Sequence, residues 1–104
     1  MKLYTTGEVV GEEIETSLGL VRGNTIRARN FGRDILAGLR NLIGGEIKDY
    51  TQMLSDARDE ALDRMIQEAE DMEADGIVEV RFTTSETMGG AAEILAYGTA
   101  VKFK

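Results

Sequence analysis

The sequence predicts a two-layer α+β domain: an antiparallel sheet packed by one long helix plus a short helix. Three observations carry that expectation. Between Gly45 and Gly76, apolar residues recur three or four apart, at Ile47, Tyr50, Leu54, Ala57, Ala61, Met65, Ala69 and Met72, which is the period of a helix and not of a strand. Three other stretches, from Glu13 to Arg22, Ile77 to Thr83 and Ile94 to Phe103, alternate with a period near two. Glycines and polar residues punctuate these segments in the order strand, helix, helix, strand, strand, a pattern that fits helices on one face of a sheet.

Taken in order, Leu3 to Thr6 can form a short extra strand, and Gly7 and Gly11 flank an acidic, turn-prone connection. The strand from Glu13 ends near Arg22. Its Gly19 suggests a bulge or a close backbone approach, and Gly23-Asn24 breaks the pattern. Asn30 suits the N-cap of a first helix, Phe31 to Ile43, whose apolar face is Ile35, Leu36, Leu39, Leu42 and Ile43. Gly44-Gly45 stops it and lets the chain turn.

The long helix, Glu46 to about Ala74, spans roughly 40 Å at 1.5 Å per residue. A compact domain of this size is about 26 Å across, so the helix either overhangs or packs against a neighbour. Gly76 suits its C-cap. Thr84 to Glu93, centred on Gly89-Gly90, is a polar connection between hairpin strands. In the last strand Ala96, Gly98 and Ala100 are small while Leu95, Tyr97, Val101 and Phe103 are large. The small face is expected under the long helix, and the large face against another sheet surface, most economically that of another subunit.

A chain of 104 residues, 42% of them hydrophobic, fits a single domain spanning residues 1–104. Folding at this size buries only about 60–70% of the unfolded surface, so association adds needed stability. The chain contains no Cys and no His, which removes disulfides and the usual zinc, haem, iron–sulfur and thiol chemistries. No catalytic residue is assigned, and no cofactor is expected. Its start lacks the apolar core of a signal peptide, and nowhere do 18 apolar residues run together, so a soluble cytoplasmic protein without a membrane partner is expected.

The net charge of −7 argues against nucleic acid as a partner. Charge is unevenly spread. Leu20 to Arg40 carries five arginines against Asp34, whereas Asp56 to Asp75 carries nine acids against Arg58 and Arg64. The acids Glu70, Asp71, Glu73 and Asp75 crowd the C-terminal end of the long helix, where the macrodipole favours cations.

The preferred reading pairs the basic segment with that acidic end, including across a subunit interface. Plain solvated charge and an anion-binding site remain open. For the second of these, Arg33, Asp34 and Arg40 are the candidate binding residues. Asp34 beside Arg33 could also serve as an acid or base in an enzyme, although no second group with a defined role accompanies it. Met53, Met65, Met72 and Met88 could offer thioethers to a soft metal, and Asp56, Asp59, Glu60 and Asp63 could hold a hard cation. Core packing and solvated helix surface account for both sets more simply.

Several blocks resemble the YbjQ-like family: Gly19-Leu20-Val21-Arg22-Gly23, Arg33-Asp34, Ala37 to Gly45, Tyr50, Arg58 and Ala61, Ala74 to Val78, and Gly98 to Lys102. The likeness covers nearly the whole chain. It implies a dodecin-like subunit that assembles into a ring, most simply a pentamer, and a family label of heavy-metal binding. The cysteine that some members carry before the glycine–valine motif is Leu18 here, so a metal cofactor has no Cys or His to support it. A homo-oligomeric structural or interaction module therefore ranks first. A metal- or small-anion-binding protein with its site at a subunit interface ranks second, and an enzyme third. The small-molecule ligand is not specified by the sequence.

Overall fold

The structure is a computed structural model, and it describes residues 1–27, 45–87 and 91–104. The elements are β1 (Lys2–Leu3), β2 (Ile14–Arg27), α1 (Gly45–Asp71), β3 (Gly76–Thr87) and β4 (Ala91–Phe103). The strands form one sheet in the order β1-β3-β4-β2, with β1 parallel to β3 and the other pairs antiparallel. It is a mixed α+β fold of one sheet and one described helix. The first helix expected over Phe31 to Ile43 lies outside the described residues, as does the Gly89-Gly90 turn.

α1 lies across β2 and β4. Ala57, Ala61, Met65 and Ala69, one per turn, are fully buried against Val21, Ile77, Ile94, Ala96 and Ala100. Each large side chain in that set contributes about 1.5–3 kcal/mol by leaving water. The small face of β4 thus lies under the long helix, as its residue sizes imply. Met72, counted in the apolar stripe, is 38% exposed because the helix ends one residue before it.

Four boundaries differ from the sequence reading, each for a local physical reason. β2 does not stop at Gly23-Asn24 but runs to Arg27. Gly23 is a packing residue: a Cβ there would run into the Ala61 carbonyl oxygen and the Met65 amide nitrogen, and would lie 2.7 Å from Cβ of Arg64. One turn on, the buried Thr25 hydroxyl donates to the Ala57 carbonyl at 3.1 Å, tying the strand to the helix again.

The helix C-cap is not Gly76. Ala74 N donates to Ala69 O at 3.0 Å and Glu73 N to Glu70 O at 2.9 Å, the paired bonds of a Schellman motif, with Glu73 at φ 60° in the left-handed position. Gly76 instead opens β3, where a Cβ would sit 3.1 Å from the Phe103 ring and 3.2 Å from Lys2 O.

The polar stretch from Thr84 is strand as far as Thr87, and β4 begins at Ala91, so Thr84 pairs with Ile94 and Glu86 with Ala92. Threonine suits an extended backbone even where it faces water. The N-terminal strand, finally, is only Lys2–Leu3. Its line continues through Tyr4 N to Ile77 O at 2.9 Å and Val80 N to Tyr4 O at 2.9 Å.

Bulges interrupt the ladders where expected and where not. Gly19, at φ 119°, accompanies the register shift between Ser17 and Gly19, as anticipated. A second shift, between Val78 and Arg81, holds Glu79 at φ 54°. The slab measures 55 × 23 × 16 Å with a radius of gyration of 17.2 Å, against about 13 Å for a compact chain of this length. Among the described residues one helix lies on one sheet, and strands of 14 and 13 residues make the slab long.

Candidate functional site

Arg33, Asp34 and Arg40 lie outside the described residues, and so does Met88. The described surface offers two other features of functional interest: the sheet face turned away from α1, and the acidic end of α1 itself.

Alternation fixes the composition of the open face. Val21, Gly23 and Thr25 point toward α1, so Leu20, Arg22, Asn24 and Ile26 point away. Register then lines these up in rows across three strands: Leu20–Thr99–Val78, Arg22–Tyr97–Arg81 and Asn24–Leu95–Thr83. Ile26 pairs with Glu93.

Leu20 is 61% exposed and Ile26 64% exposed, while Leu95 and Tyr97 are half-buried. Val78 and Val101, on the same face at its other end, are buried. There the Tyr4 ring meets Phe103 edge-on, with centroids 6.3 Å apart. The uncovered part of the face is therefore its middle and its hairpin end.

The middle row places two guanidinium side chains on either side of a tyrosine, on strands about 4.8 Å apart. Arg81 is anchored: its Nη1 donates to Thr5 O at 2.8 Å and to Val80 O at 2.9 Å. Arg22 is exposed and makes no ion pair among the described residues. In the sequence Arg22 reads only as one member of a basic segment, and the row goes unseen. The signal for it is the alternation Leu20, Arg22, Asn24, Ile26, which is hidden when Gly23 is taken as a strand breaker.

On α1, Asp56, Asp59 and Asp63 are exposed, and the pairing of Glu60 with Arg64 at 2.6 Å is a surface i,i+4 bridge of small energetic weight. Gln52 donates to Asp56 at 2.9 Å. Among the described residues no group of three or more His, Cys, Asp or Glu is placed to hold a metal ion. Met65 is fully buried in the core between helix and sheet, and Met53 is buried at 8% exposure.

At the C-terminal end, Glu70, Asp71 and Glu73 are exposed around the half-exposed Met72, and the last turn holds no basic residue. Gln67 donates to Asp71 at 3.1 Å. Asp75 has a local task, accepting from Phe103 N at 2.9 Å, and its own amide donates to Val101 O at 2.8 Å. No described helix is long and apolar enough to cross a membrane.

Comparison with known proteins agrees with this architecture. A UPF0145 protein of Halorubrum lacusprofundi is 61% identical over 104 residues, covering all of both chains. One of Archaeoglobus fulgidus is 61% identical over 102 residues, covering 98% of this chain and 94% of its own. Among solved structures, a Pediococcus pentosaceus protein of unknown function, assigned to the DUF74 family, superposes with a TM-score of 0.67 over 100% of this chain and 98% of that one. At 21% identity that likeness speaks for the fold alone. The YbjQ family model, described as "Putative heavy-metal-binding", matches residues 1–104, and the chain belongs to that family.

Proposed function

We propose that this protein acts as a self-associating structural or interaction module, a homo-oligomer with a pentameric ring favoured, and without catalysis of its own. The observation that carries the reading is the open sheet face, where Leu20 and Ile26 are 61% and 64% exposed beside the half-buried Leu95 and Tyr97. Large apolar side chains exposed on the face turned away from the described helix are what a partner covers. The elongated slab supports the same reading, since among the described residues one helix covers only one side of the sheet and a partner can supply a layer on the other. Native mass spectrometry of the untagged protein tests it: one defined multiple of the protomer mass is expected, and a monomer at every concentration overturns the reading.

A second reading has its own support in the family description, "Putative heavy-metal-binding". It places a metal or small-anion site at a subunit interface. The donor set does not fit a soft metal. The chain has no Cys or His, Met65 is enclosed, and Met72 lies seven residues farther along the helix line, about 10 Å away.

A small anion held by arginines fits better, and Arg33, Asp34 and Arg40 are the residues to test. If Arg33→Ala and Arg40→Ala abolish assembly, the arginines are structural. If the ring survives and a bound anionic mass disappears from the native spectrum, they line a site.

A further inference from the structure

Resting on the self-association proposed above, we infer that the occupant of the open sheet face is the acidic C-terminal end of α1 from a second copy of this chain. Charge selects this occupant. The chain carries a net charge of −7, yet its open face places Arg22 and Arg81 around Tyr97 against Glu93 as the opposing acid among the described residues. The end of α1 presents Glu70, Asp71 and Glu73 with no basic residue in its last turn. The helix macrodipole adds negative partial charge at that same end.

The other pairings of two copies are worse electrostatically. Open face on open face brings Arg22 and Arg81 toward their own symmetry mates, and helix on helix brings acid toward acid. Like-charge juxtaposition at an interface is strongly unfavourable, so of these three pairings of described surfaces the face-to-helix one joins opposite charges.

Apolar residues match as well. Met72 is 38% exposed amid the helix acids, and Leu20 is 61% exposed beside Arg22. A flexible thioether adapts readily to an irregular surface of Leu and Tyr.

Geometry sets the symmetry. α1 and the open face lie on opposite sides of the sheet, so the two patches cannot meet within one copy. A contact between different patches is heterologous, and repeated copy to copy it either closes into a ring or grows into a filament. Docking of helix end on open face is thus a contact of the kind a ring requires.

The test is a charge swap read by native mass spectrometry and sedimentation velocity, with circular dichroism to verify that each variant is folded. Arg22→Glu is expected to raise the dissociation constant of the assembly at least about tenfold, and the double change Glu70→Arg with Glu73→Arg to do the same. Combining all three substitutions is expected to restore assembly to within about threefold of the parent, because the pairing is re-formed with its signs exchanged.

If Arg22→Glu assembles like the parent, the docking is wrong while self-association stands. An intact assembly that loses a bound anionic mass would overturn it in favour of a ligand site. Weakening by Arg22→Glu without rescue by the helix changes would mean that another surface occupies the face. A parent protein that is monomeric throughout sinks both this inference and the reading it rests on.

Discussion

The two faces of the sheet are made by the same strands and differ in polarity and in where their small residues fall. Toward α1 stand Gly23, Ala96 and Ala100, met by Ala57, Ala61 and Ala69, so the helix axis comes close enough for Gly23 to touch helix backbone. Away from α1 stand Leu20, Ile26, Leu95 and Tyr97, large and apolar yet exposed or half-buried, interleaved with Arg22, Asn24, Thr99 and Arg81. Small residues set how closely the described helix approaches, because Gly23, Ala96 and Ala100 let α1 seat its alanines and Met65 against the sheet between Val21, Ile77 and Ile94. On the proposed reading, the second face is the one that another copy of the chain covers.

Substitutions on the helix side should therefore act on folding. The largest effect is expected for Met65→Ala, which leaves a cavity between α1 and the sheet where a fully buried thioether stood. A loss of about 2–5 kcal/mol in urea unfolding is expected. A loss under about 1 kcal/mol would mean that helix and sheet are less tightly apposed than the Gly23 contact implies.

Gly23→Ala comes next. Its added methyl meets backbone atoms of Ala61 and Met65, which cannot rotate away as a side chain could. Overpacking of this sort costs about 1–3 kcal/mol. The corresponding change at Gly11, where an added Cβ would have nothing within 4 Å but φ is 84°, separates the two causes: it carries backbone strain without a clash. Unfolding midpoints of the two variants side by side would show whether close approach or backbone conformation dominates.

A stabilising change lies at the helix end. Glu73 occupies the left-handed position of the Schellman motif, where a side chain is disfavoured by about 1–2 kcal/mol and glycine is not. Glycine also loses more chain entropy on folding, which offsets part of the gain. Glu73→Gly should raise stability by roughly 0.5–1 kcal/mol in the same urea titration, a net gain consistent with relief of left-handed strain. Because Glu73 also belongs to the acidic end of α1, the same variant should weaken assembly slightly while strengthening the fold. Opposite signs in the two measurements would be hard to explain if the acids served only to solvate the helix.

How much of this is legible in the sequence follows from what each residue does alone and what it does in company. The long helix can be read because Ala57, Ala61, Met65 and Ala69 repeat along one segment. The small face of β4 can be read because alternation and size vary together there. Gly23 and Gly76 mislead for a shared reason: a glycine that permits a contact and a glycine that permits a turn have the same letter, and the contact partner lies some forty residues away for Gly23. Glu73 escapes notice because the motif it completes is defined by hydrogen bonds, with a non-glycine residue in the usual glycine place. The Arg22–Tyr97–Arg81 row needs the register of two strand pairs, and register depends on the bulges at Gly19 and Glu79. The candidate residues Arg33, Asp34 and Arg40 lie outside the described part of the chain.

The smallest effect on folding, and the one that separates the two faces most cleanly, is expected for Leu20→Ser combined with Ile26→Ser. Both side chains are mostly exposed in the protomer, so their removal should change its intrinsic stability by no more than about 0.5 kcal/mol. Assembly is another matter, since the same residues supply the apolar part of the proposed contact. A protein stabilised by self-association unfolds at a midpoint that rises with concentration, because only the folded state assembles. The parent should therefore show a rising midpoint across a hundredfold range of protein concentration, and the double variant a nearly flat one, with the two curves meeting at high dilution. Parallel curves would mean that the open face is solvent-exposed in the working protein, and that the large residues on it serve something other than a second copy of the chain.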